Sequence, residues 1–193
     1  MSFVLVNEGE KEALGRWVNK NTPDDLVLHL YTNDLTPDED TALGDLTEST
    51  GAGYSPVTLT GANWQLFCKT DATTWAADTV YAEDVLVVPT AGGNLFYRAI
   101  QGGTSGSSEP TWPTTPGATV VDGGVIWECM QHTLAEYPEV TFAYTGAEAA
   151  IYGYYITNNA GTVLHIAERF TDGPYSIPTG GGEVRVTPRI KLD

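Results

Sequence analysis

The sequence predicts a mainly β protein: a jelly-roll or sandwich-like base domain with one short N-terminal helix, interrupted by a small inserted β-module. Three observations predict it. In 140–144 the large residues Val140, Phe142 and Tyr144 fall on every second position, which places them on one face of a strand. Clusters of turn residues punctuate the chain: Asn158-Asn159-Ala160-Gly161, Asp172-Gly173-Pro174 and Thr179-Gly180-Gly181-Gly182 each separate apolar runs at hairpin spacing. The composition, 21 glycines with 10% aromatic residues, suits tight turns between short strands.

Taken in order, 2–6 is a short apolar run that reads as a strand. A helix is expected over 7–19, with Asn7 as its cap, Glu10 three residues later, and Leu14, Trp17 and Val18 as an apolar stripe against a sheet. Asn21-Thr22-Pro23-Asp24 ends it. Residues 26–32 alternate Leu26, Leu28 and Leu30 with Val27, His29 and Tyr31. The acidic stretch 33–53 reads as a solvated loop rather than a calcium loop, because Ala42 stands where a third oxygen ligand is needed. Strand character resumes over 54–64.

From 71 to 131 the style changes to short strands, 84–88, 94–100 and 125–130, with Gly92-Gly93 and Asp122-Gly123-Gly124 as turns. Such a module can leave a domain and return to it, since loop-closure entropy grows slowly with length. The base is therefore expected over 1–66 plus 135–193. Glu183 to Leu192 reads as one closing strand with Val184, Val186, Ile190 and Leu192 on one side.

At 193 residues and 41% hydrophobic content the chain can bury an ordinary core. Its formal charge of −16, from 9 basic and 25 acidic residues, repels phosphate backbones and anionic membranes, so no nucleic-acid or membrane partner is expected. No apolar run approaches the roughly 20 residues of a membrane span, and no export signal is expected. Cys68 and Cys129, near the entrance and exit of the middle segment, could close it as a bridge; two free thiols in a reducing cytosol are the favoured reading.

Catalytic patterns are missing from the sequence. His29, His132 and His165 have no His-x-x-x-His or Cys-x-x-Cys partner, and the serine of Gly103-Thr104-Ser105-Gly106 lacks a glycine two residues on. The expectation is no enzyme, no metal and no cofactor. The aromatic residues carry more information. Trp75, Tyr97, Trp112 and Trp127 could stack on sugar faces, but a unit of this size also needs large rings as its own core, which is the favoured reading for Trp75, Tyr81 and Trp127. Trp112, between Thr111 and Pro113, is expected to be exposed.

Trp75, then 81–85, 95–99, 103–106, Glu109-Pro110-Thr111-Trp112-Pro113, 120–123 and Val125-Ile126-Trp127 together resemble a small module of tailed-phage virion proteins, itself distantly similar to chitin-type carbohydrate-binding modules. Glu83 departs from the glycine usual before the Asp. The flanks, at 28–33, Gly53-Tyr54, 152–155, 168–170 and 186–190, also resemble phage head or tail accessory proteins. The resemblance implies a virion component assembled in the bacterial cytoplasm and carried on the particle's outer surface. Its base would dock on the major capsid protein or another virion protein, with the module projecting outward. Two roles follow: a non-enzymatic capsid decoration or cement protein, working as a homo-oligomer with a trimer favoured, or a tail or fibre component that binds a host glycan through Trp112, Tyr97, Trp75 and Trp127.

Overall fold

The structure, a computed structural model, describes residues 4–17 and 23–192. The chain is mainly β and sandwich-like, with one α-helix near its N-terminus, and it divides into two compact units: 1–64 with 137–188, and 65–136 with 189–193.

The first unit is built on a five-stranded antiparallel sheet in the order Val4–Leu5, Leu164–Arg169, Gly153–Asn158, Leu26–Tyr31, Val57–Leu59. Its central strands alternate large residues to both sides, and both sides are buried: Leu28 and Leu30 are fully covered, as is Tyr31 on the other face. Two ribbons accompany the sheet, Val140–Tyr144 with Gly182–Val186 and Glu148–Ile151 with Tyr175–Ile177. Tyr54 joins sheet to ribbon. Its ring stacks on Phe142 and Tyr144, and its hydroxyl accepts the Leu30 N–H at 3.0 Å. That N–H lies on the sheet edge beyond the last pair with Val57–Leu59, so the phenol supplies an acceptor that a further strand would otherwise provide.

The helix spans Asn7–Trp17. Residues 18 and 19 of the expected helix, the Asn21-Thr22 part of its terminator and the start of the 2–6 run lie outside the described residues. Asn7 is not the cap: it is already helical, the Val6 carbonyl accepts the first bond from Glu10 N–H, and the Asn7 side chain donates to Asp40 at 3.0 Å. The expected Leu14 contact is also corrected, since Leu14 is 58% exposed. Among the helix side chains that the structure describes, the buried positions are Gly9 and Gly15, and a Cβ on Gly9 would meet the His165 carbonyl at 2.3 Å. Close approach of backbone to strand, which only glycine permits, puts the Gly9 face against the sheet.

The carboxylates of the acidic loop are divided between its own backbone and side chains from elsewhere. Asp38 accepts from Asp40 N–H and Thr41 hydroxyl, Asp45 from Ala42 N–H, and Asp34 pairs with Arg169 at 2.7 Å.

The second unit has two larger sheets and a two-stranded ribbon, Val80–Tyr81 with Gly103–Thr104. One sheet is five-stranded, in the order Thr119–Asp122, Val125–Met130, Phe96–Gln101, Leu86–Val88, Thr73–Thr74; the other is three-stranded, Arg189–Leu192, Thr133–Glu136, Gln65–Phe67. The chain's last strand thus differs from expectation. Thr187-Pro188 divides 183–192 into Gly182–Val186, which pairs in the first unit, and Arg189–Leu192, which pairs with Thr133–Glu136 in the second. Proline has no N–H with which to continue the ladder, and its carbonyl is taken by Tyr137 N–H at 2.9 Å. Residues 65–66, 135–136 and 189–193, expected in the base, accordingly belong to the second unit.

Phe67 and Leu134 of the three-stranded sheet pack with Leu86, Phe96 and Met130 of the other. The opposite face of the five-stranded sheet carries a second core of Trp75, Tyr81, Val87, Tyr97, Ala99, Val125, Trp127 and Cys129. The hairpin between Asp122 and Val125 turns on Gly123, whose φ of 61° suits the left-handed region. Cys68 and Cys129 are free thiols; Cys129 is buried and Cys68 partly so.

Candidate functional site

Strand alternation sends Val125, Trp127 and Cys129 to the same side as Tyr97 and Ala99, so the rings singled out in the sequence converge. Convergence removes them from solvent. Trp75 is 7% exposed, Tyr97 2% and Trp127 0%, and none of the three presents a ring face on which a sugar could stack. The reason is size: a five-stranded sheet of short strands encloses enough apolar area only by using its largest side chains.

Each ring is also fixed through its polar end. Asp122, itself buried, accepts the indole N–H of Trp75 at 2.8 Å and of Trp127 at 2.9 Å on one oxygen, and Gly106 N–H at 2.8 Å on the other. Tyr97 donates its hydroxyl to the Pro113 carbonyl at 2.8 Å, and burial pushes its phenol up to about 12. Tyr81 packs edge-on against Trp127 at 5.0 Å.

Trp112, expected to be exposed, is half-buried. Its ring lies 4.2 Å from Tyr97 and 6.0 Å from Trp127, closing the core from the side of the 105–118 loop. Its indole N–H donates to Glu109 at 2.8 Å, and Glu109 in turn accepts from the backbone and hydroxyl of Thr90. Burial works against the Glu109 carboxylate, yet the Thr90 and Trp112 hydrogen bonds hold it below its ordinary value. Of the four candidate sugar-stacking residues, Trp112 alone keeps part of its ring in solvent.

The other face of the same sheet carries a charge cluster. Arg98 is tied to Asp84 at 2.6 Å and to Glu136 by two bonds at 2.9 and 3.2 Å, and its guanidinium lies 4.1 Å over the Phe67 ring. Arg189 completes the group, reaching Glu136 at 2.6 Å. Asp84 turns toward Arg98 from a left-handed backbone, φ 69°, that Asp tolerates better than most residues. Four separate stretches meet here, and their spacing in the chain carries no sign of it.

In the first unit His29 is buried and satisfied at both ring nitrogens. It stacks on Tyr155 at 4.6 Å, with Nδ1 3.0 Å from Glu48 and Nε2 3.1 Å from the Thr157 hydroxyl. Tyr54 donates to the same Glu48 oxygen at 3.1 Å. Burial drives the phenols of Tyr54 and Tyr155 well above their ordinary range, with the Glu48 charge adding to it. Ser49 bonds both Tyr144 and Glu148 at 2.9 Å but is 2% exposed, so its hydroxyl is closed to a substrate. His165 is buried, and desolvation together with the nearby Arg16 charge holds its imidazole below the usual value. Among the described residues no group of three or more His, Cys, Asp or Glu side chains is placed to hold a metal ion.

Comparison of the chain with known protein families, with curated proteins and with solved structures returns no match.

Proposed function

We propose that the protein is a non-enzymatic structural component of a tailed-phage virion, a capsid decoration or cement protein that binds the major capsid protein through the 1–64 and 137–188 unit. The observation that carries this reading over glycan capture is the burial of Trp75, Tyr97 and Trp127, which spends the module's rings on its own rigidity. A net charge of −16 supports a surface that meets other proteins rather than packaged DNA. Sheets that end in edge strands support assembly as a symmetric homo-oligomer, with a trimer favoured, because edges are best protected by pairing or cover. The virion's outer surface is the location that follows.

Glycan binding by a tail or fibre component is the second reading, and it rests on the exposed part of Trp112. Immunogold labelling of intact phage particles with an antibody against 71–131 tests both. Gold distributed over the head is the expected outcome; gold confined to the tail or its tip would overturn the decoration reading in favour of the second.

A further inference from the structure

In a molecule with 9 basic against 25 acidic residues, two of the cations stand in one cleft of the second unit. The cleft has a volume of about 170 Å³. Its apolar lining includes the buried side chains of Met130 and Leu134, and Glu128, His132, Arg189 and Lys191 are among the other lining residues. Alternation explains the grouping. Glu128 and Met130 share a face of their strand, and Arg189 and Lys191 share a face of theirs, with Lys191 paired in register to Leu134.

The two cations differ in occupation. Arg189 is engaged through Nε with Glu136, whereas Lys191 makes no ion pair among the described residues. An exposed ammonium beside an apolar lining is complementary to a carboxylate carried on an apolar stem. Glu128 in the same lining disfavours a compact, multiply charged anion such as phosphate, since like charges at short range repel.

We propose that this cleft binds an aliphatic monocarboxylate, its carboxylate held by Lys191 and Arg189 and its alkyl stem laid on Met130 and Leu134. The site stands whether or not the virion reading does, because it uses only residues of the second unit.

An amide NMR titration of the full chain with isocaproate tests it. Saturable shifts concentrated in 128–134 and 189–191 are expected. Isocaproamide, which lacks the charge, should bind about tenfold more weakly, as should isocaproate to Lys191→Gln, while Lys191→Arg retains most of the affinity. Lys191 is exposed, so an otherwise unchanged spectrum of Lys191→Gln shows that the fold is intact. Scattered or non-saturable shifts, equal binding of the amide, or displacement by inorganic phosphate would each overturn the proposal.

Discussion

The indole N–H groups of Trp75 and Trp127 end on the same atom, Asp122 Oδ2, at 2.8 and 2.9 Å. Both rings are buried, and the carboxylate that joins them is 4% exposed. The second unit therefore has a polar pin at the centre of an aromatic core, and the side chain that forms it starts the Asp122-Gly123-Gly124 turn.

Asp122→Ala leaves two buried indole donors without an acceptor, each worth roughly 1–3 kcal/mol, so the second unit should lose about 4 kcal/mol. Asp122→Asn keeps one accepting oxygen and should lose about half as much. Urea unfolding followed by tryptophan fluorescence measures both.

The Arg98 cluster makes the second unit sensitive to acid. Burial alone would raise the Glu136 carboxyl, but the hydrogen bonds and charges of Arg98 and Arg189 outweigh it and hold the group below its ordinary value of 4.5. A carboxyl depressed in the folded state stabilises fully above its unfolded value, and the contribution is lost as pH falls through the folded one. The melting temperature of this unit should thus drop as pH falls below about 4.5. Glu136→Gln should flatten that dependence while costing about 3 kcal/mol near neutrality, because Arg98 would stay buried with Asp84 as its remaining carboxylate.

Tyr54→Phe keeps the stacking on Phe142 and Tyr144 but strips the acceptor from Leu30 N–H and a donor from Glu48. A loss of roughly 2 kcal/mol is expected in the first unit, with the second unit unchanged. Amide exchange should locate the effect at Leu30.

Removing residues 189–193 deletes the strand that pairs with Thr133–Glu136 and takes Arg189 from Glu136. The second unit should become less stable and the first should keep its unfolding midpoint, as two-transition calorimetry would show. If residues 189–193 belonged to the base, as the sequence suggests, the order would reverse.

Much of the local structure is legible in the sequence because its causes are local. Val125–Met130 coincides with the expected strand, and Val140–Tyr144 and Gly153–Asn158 follow from alternation and turn residues. The core role expected for Trp75, Tyr81 and Trp127 is also what the structure shows, since a small unit has few other ways to bury area. Leu14 and Asn7 depart from expectation for different reasons: the strand opposite the helix packs on the Gly9 face, and the Asn7 side chain is drawn to Asp40, distant in the chain.

By itself the sequence determined a mainly β chain with an N-terminal helix and an aromatic-rich middle segment, because pleat, turn chemistry and ring content are properties of neighbouring residues. Tertiary structure decided which rings remain in solvent, that Arg189–Leu192 pairs in the second unit, and that His29 meets Glu48 while Arg98 meets Glu136. Alternation shows which side chains share a face; what covers that face is set by strands distant in the chain, and burial and charge pairing depend on that cover.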